Sequence, residues 1–198
     1  MVSYEKLLSQ LKAGDLSKLE KSLIENIREQ SSKTKGFGKK LPIIKRIVKE
    51  GERVNGNKKF TQYHKFTYQG KEYNGFLEGH VIMAIQQETF GYNECEDPYK
   101  ITQMFPTDEQ KSKYIEIDID IEDLKLFTKI AKSEKKKKPY VVILDGIRYG
   151  INPQFLLDAL NFNETVTVQV MRNNPNAPIF LQNDNAETLG LVLPVRLI

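Results

Sequence analysis

One segment narrows the choice of folds more than any other. Tyr114-Ile115-Glu116-Ile117-Asp118-Ile119-Asp120 alternates strictly between apolar and acidic residues after its first tyrosine. A period of two belongs to a strand with one buried face and one wet face. The chain then changes period. Leu124, Phe127 and Ala131 fall on one stripe, which predicts a helix over 121–132 whose C-terminal lysines complement its dipole. Residues 140–144 read as a strand and Asp145-Gly146 as a turn. Asn152 is placed to cap a helix with Pro153 at its first position, continuing through Phe155, Leu156, Leu157, Ala159 and Leu160. Three strands follow, over 166–171, 178–182 and 190–197, separated by turn-rich asparagine segments. Strands and helices in this order predict an α+β protein built from antiparallel hairpins, not a doubly wound sheet.

Upstream, Leu7, Leu8, Leu11, Leu16, Leu19, Leu23 and Ile27 recur at helical steps over 3–30, with Gly14-Asp15 as a break. Residues 30–40 are polar, contain Gly36 and Gly38, and read as a linker. A short helix is expected over 42–50, with Ile43, Ile44, Ile47 and Val48 on its apolar face. Strand chemistry runs from 58 to 87, with a turn at Gln69-Gly70-Lys71. Residues 88–104 lack a clear period and connect. These shifts divide the chain into a helical arm over 1–35, a small unit over 36–105 and a C-terminal unit over 106–198.

Charge distribution says more than the net charge of +4. Between Gln30 and Glu50 no acidic residue interrupts Lys33, Lys35, Lys39, Lys40, Lys45, Arg46 and Lys49, and a second run is Lys135, Lys136, Lys137 and Lys138. Such local positive fields suit a polyanion, and they equally suit solvated lysines on loops. With one cysteine, Cys95, no internal disulfide is available. No stretch reaches a membrane span and the N-terminus lacks the layout of a signal peptide, so the reading is cytoplasmic with no membrane partner.

Little in the sequence asks for an enzyme. There is no phosphate-binding loop and no dinucleotide fingerprint, and Gly36-Phe37-Gly38 lacks a third glycine. His64, His80 and Cys95 argue against a zinc site. Glu116, Asp118, Asp120 and Glu122 carry the chemistry to hold Mg²⁺, but alternation puts the first three on one solvated strand face. A hydrolase resting on that acidic strand is the weakest of the readings. No cofactor is expected.

Two segments carry a resemblance. The first is Gly150-Ile151-Asn152-Pro153-Gln154-Phe155-Leu156-Leu157-Asp158-Ala159-Leu160 with the strands after it, ending in Leu191-Val192-Leu193-Pro194-Val195-Arg196-Leu197. It resembles the last domain of the bacterial DNA polymerase III beta subunit, the beta sliding clamp, in its helix, its strand spacing and its closing motif. The second, Gly75-Phe76-Leu77-Glu78-Gly79-His80-Val81-Ile82-Met83-Ala84, is similar to the family's glycine-histidine element, with Val81 where an arginine is usual. Phe105-Pro106-Thr107-Asp108 echoes the segment that enters the family's last domain. Family members are about twice as long, so the resemblance implies a shortened clamp, of the kind a phage or mobile element encodes.

The resemblance implies a non-enzymatic processivity factor. It implies binding to duplex DNA without sequence preference, through Lys39, Lys40, Lys45, Arg46, Lys49 and Lys135–Lys138. It implies that polymerases or other clamp-binding proteins dock a peptide in a hydrophobic groove. By motif that groove falls at Gly79, His80, Val81, Ile82, Pro106, Pro178, Leu193, Pro194, Val195, Arg196 and Leu197. Pro194 is expected at a strand edge, since proline cannot donate to a ladder. A closed homo-oligomeric ring is one expectation. The other is a ring-less module or decoy that kept the groove and engages replication proteins.

Overall fold

The computed structural model describes residues 9, 11, 14, 16–133 and 139–197. In chain order the elements are α1 (Leu16–Thr34), α2 (Leu41–Asn55), β1 (His64–Tyr68), β2 (Lys71–Leu77), β3 (Val81–Ile85), the single turn α3 (Asp108–Lys111), β4 (Tyr114–Asp118), α4 (Ile121–Ser133), β5 (Tyr140–Leu144), β6 (Ile147–Ile151), α5 (Pro153–Asn163), β7 (Thr167–Met171), β8 (Ile179–Gln182) and β9 (Thr188–Val192). Short 3-10 turns cover Lys58–Thr61 and Ile101–Met104. The α+β class with antiparallel sheets is the one expected.

Seven strands form one antiparallel sheet in the order β1-β2-β3-β9-β8-β7-β4, and β5 and β6 form a separate hairpin. The pairing of β3 with β9 joins the two halves of the chain, with Val81 opposite Val192 and Ile85 opposite Thr188. All five residues of each strand are buried, as expected for central strands covered on both faces. Alternation divides β3 between two cores. Val81, Met83 and Ile85 meet Ile44, Ile47, Leu156 and Leu160 of the helical layer. Ile82 and Ala84 meet Phe66, Tyr73, Phe105 and Phe180 on the opposite face.

Local chemistry explains the boundaries. The Asn152 side chain accepts from the N–H groups of Gln154 and Phe155, with Pro153 next, so α5 starts where the cap predicts. Asp120, one of the acidic series, accepts from the N–H groups of Glu122 and Asp123 at the start of α4. Thr107 and Gln110 form a capping box that holds α3. The turns Gln69-Gly70 and Asp145-Gly146 place both residues at positive φ, as tight two-residue hairpins require.

Three expectations need correction. The segment over 60–63 is a 3-10 turn with an extended end rather than strand, because Asn57 caps Lys59 and the ladder begins only at His64. The linker expected over 30–40 is shorter, since α1 continues to Thr34. The final strand ends at Val192, not at 197. Leu193 donates its N–H to His80 O (2.8 Å), and Val195 donates to Gly150 O (2.8 Å). The chain leaves β3 and crosses to β6 at Pro194, the one residue there with no N–H to place.

The helix α1 also faces the other way from what its apolar stripe suggests. Leu16, Leu23 and Ile27 are exposed, while Ser22 and Ser32 are buried. Its polar side makes the attachment: Glu25 and Glu29 bind Lys45 of α2, and Arg28 donates to Gly91 O (3.0 and 3.3 Å) while covering the Tyr92 ring.

His64 is fully buried, with Nε2 2.9 Å from Lys59 O and Nδ1 accepting from Tyr99 N–H (3.2 Å). Burial lowers its pKa below 6.5. The unfolded chain therefore binds a proton that the folded chain refuses, so this contribution to stability is complete above about pH 6.5 and lost below it. Thermal melts from about pH 7.5 to about pH 5 should show a falling Tm, with a smaller slope in His64→Gln. Equal slopes in both chains would contradict the assignment.

Candidate functional site

The turn between β2 and β3 organises the surface where the two halves meet. Gly79 sits at φ +107°, a conformation that a side chain would strain. The buried carboxyl of Glu78 accepts from His80 N–H (3.0 Å), and its main-chain carbonyl accepts from the Asn55 side chain at the end of α2 (3.1 Å). These bonds hold His80 outward. Its side chain is exposed and its ring lies nearly parallel to that of Phe155 in the first turn of α5, 6.5 Å between centroids.

Two concavities flank His80 and Leu193. The first is about 590 Å³ and is lined by Leu77, Gly79, His80, Val81, Ile82, Met104, Phe105, Pro106, Tyr114, Met171, Ala177, Pro178, Leu191 and Leu193, with Gln103, Gln110, Asn174 and Asn176 as its amide groups. No Asp, Glu, Lys or Arg lines it. Two tyrosines hold its prolines: Tyr68 donates to Pro106 O (2.7 Å) and Tyr114, itself in the lining, to Pro178 O (3.1 Å). Burial raises the pKa of both phenols, so they stay protonated as donors.

The second concavity, about 690 Å³, lies on the helical side. Phe155, Leu193, Pro194 and Val195 form one wall, and Arg46, Glu50, Arg53 and Lys132 contribute charge. Arg46 binds Asp158 through both its Nε and a terminal nitrogen, and Arg53 binds Glu50. Burial raises the Asp158 pKa against the opposing pull of Arg46.

The structure thus brings Gly79, His80, Val81, Ile82, Pro106, Pro178 and Leu193 to one cavity, and His80, Leu193, Pro194 and Val195 to its neighbour. Arg196 and Leu197 line neither. Leu197 instead packs on Gly150, where an added Cβ would come 2.5 Å from Val195 O and 2.7 Å from Leu197 Cδ2. Sequence reading missed the amide rim, Met104, Tyr114 and Phe155. Tyr114 and Phe155 were legible only as members of a strand and a helix, and no pattern marks Met104 or the amides.

The basic residues are mostly engaged within the chain. Lys40 is buried and pairs with Glu164 (3.1 Å), Lys45 pairs with Glu25 and Glu29, and Arg46 pairs with Asp158. Burial alone would lower the Lys45 pKa, but bonds to the two glutamates outweigh it and raise it. Lys39 and Lys49 are exposed, and no ion pair engages them among the described residues. The Lys135–Lys138 run lies outside the described residues.

A seven-stranded antiparallel sheet joined through β3 and β9, with helices on one face and a groove beside that pairing, defines a clamp-type α+β fold. Solved structures similar to it include DNA polymerase sliding clamps. A putative DNA polymerase III beta subunit from Eubacterium rectale is 19% identical, covering 80% of this chain and 63% of that one with a TM-score of 0.57. The sliding clamp of Bacillus subtilis is 14% identical, covering 81% and 62% with a TM-score of 0.53. The Helicobacter pylori beta clamp, solved with 3,4-difluorobenzamide, is 13% identical, covering 78% and 63% with a TM-score of 0.52. The chain therefore spans less than two thirds of the length of these clamps. No family model matches the sequence, and no curated protein matches it.

Gly150→Ala should destabilise the chain by about 1–3 kcal/mol through overpacking, read as a lower denaturant midpoint. An unchanged midpoint would mean that Val195 and Leu197 do not pass over β6 as described.

Proposed function

We propose a sliding-clamp-like role in DNA replication, in which the groove at the junction of β3 and β9 docks a peptide from a polymerase or another clamp-binding protein. The observation that carries this reading is the uncharged 590 Å³ cavity with amide groups at its rim. Such a cavity takes an apolar side chain and offers amide partners to an extended backbone, the anchor-in-pocket mode in which few contacts dominate. His80 and Leu193 separate it from the second concavity, so a peptide crossing this wall presents residues to both. Val81, which stands where the resemblance expects arginine, is buried and leaves the cavity without a cation.

The groove is tested with a fluorescent peptide carrying a polymerase clamp-binding motif. Leu193→Asp should weaken binding by about 30-fold or more, on the order of 2 kcal/mol for an anchor contact, in a chain that still melts cooperatively at a lower temperature, since Leu193 also packs on the core. A mutant that binds equally well would remove the groove from this reading.

Duplex DNA is the second ligand of the proposal. With Lys40, Lys45 and Arg46 ion-paired, affinity would rest on Lys39, Lys49 and the Lys135–Lys138 run. Log affinity against log salt should then have a slope no steeper than about −5, at roughly 0.9 per phosphate neutralised. Filter binding that shows no duplex affinity at low salt would leave the groove as the whole of the function.

A further inference from the structure

The hairpin β5–β6 has one unguarded side. β5 is Tyr140-Val141-Val142-Ile143-Leu144, five apolar residues without a charge or a proline. It pairs with β6 alone. The two-residue turn Asp145-Gly146 fixes where its backbone groups point. Leu144 and Ile147 flank that turn, so Leu144, Val142 and Tyr140 exchange hydrogen bonds with β6. The N–H and C=O groups of Val141 and Ile143 therefore point to the open edge. Among the described residues no backbone bond from outside the hairpin reaches them. Tyr140, Val142 and Leu144 pack against the core, whereas Ile143 is 67% exposed.

The other two outer edges are guarded. Beside β1, Tyr63 bridges Glu94, and Thr102 donates to Thr67 O. β4 carries Glu116 and Asp118 along its edge, held by Gln169 and Thr167. Charge, bulges and covering loops are the usual protections of an edge strand, and among the described residues none of them falls on β5. A two-stranded sheet is also marginal by itself.

We propose that β5 is covered by β5 of a second copy of this chain, antiparallel across a two-fold axis at Val142. That register sets Val141 opposite the partner's Ile143 and Tyr140 opposite the partner's Leu144. Val141 and Ile143 are the residues whose backbone groups face the open edge, so both crossed pairs exchange N–H···O bonds. Ile143 is then covered by Val141, and every pair in the contact is apolar. An edge like β4 in the same place would set carboxylates against these side chains. Pro139, which has no N–H to leave unpaired, falls opposite the partner's Asp145 at the end of the contact. The result is a four-stranded sheet and a closed pair, not a head-to-tail ring. The inference is independent of the groove, since no residue of β5 lines either concavity.

Light scattering of the full chain across the micromolar range should give twice the 22.9 kDa mass of one chain. Ile143→Lys should halve that mass while keeping the folded spectrum. The double variant Val141→Cys, Ile143→Cys should form a covalent dimer on mild oxidation, because the register brings those side chains together while Cys95 stays buried. A monomeric wild-type chain, or an oligomer that persists in Ile143→Lys, overturns the proposal. If Ile143→Lys does not fold, the absence of the covalent dimer overturns it instead.

Discussion

The pairing of β3 with β9 is the interaction on which the rest depends. It joins residues 81–85 to residues 188–192, more than a hundred positions away in sequence (81 to 192). Closing so long a loop is entropically costly, and the cost is offset only because both strands are buried on both faces. Once formed, the pairing converts two hairpin systems into one sheet and provides the floor for both cores. The groove follows from the same event. Leu191 and Leu193 come from one strand and its exit, and Gly79–Ile82 from the turn into the other, so neither half of the chain contains the site alone.

The exit of β9 shows how a local constraint becomes functional geometry. Proline at 194 has no N–H, so it sits where the backbone changes partner, between the bond from Leu193 to His80 and the bond from Val195 to Gly150. That crossing raises the wall between the two concavities. It also requires glycine at 150, where the C-terminal segment passes too close for a side chain. The motif that resembles the end of a sliding clamp is thus a physical hinge between a ladder and a groove wall. The likeness to solved clamps at 13–19% identity concerns the fold, and the role in replication is a proposal built on the groove.

Much of the fold was legible where chemistry is local. The alternation at Tyr114–Asp118, the Asn152-Pro153 start of α5 and the Asp145-Gly146 turn each express a constraint within a few residues, and each element formed as expected. What sequence could not convey was the partner of each face. The stripe of Leu16, Leu23 and Ile27 announced a helix but not that its polar side would bind the body. The basic run from Lys39 to Lys49 read as a free positive field because Glu25, Asp158 and Glu164 lie elsewhere in sequence. For the site, motif carried Gly79, His80, Pro106, Pro178 and Leu193 to one place. The amides that rim the cavity had no pattern to mark them.

The most direct measurement is amide hydrogen exchange of the full chain with and without a clamp-binding peptide. A ligand seated across the junction should slow exchange on both sides of it, at the His80 and Ile82 amides and at the Leu193 amide that bonds His80. Protection confined to one side, or found only at a distance from these residues, would contradict a groove built by the union of β3 and β9.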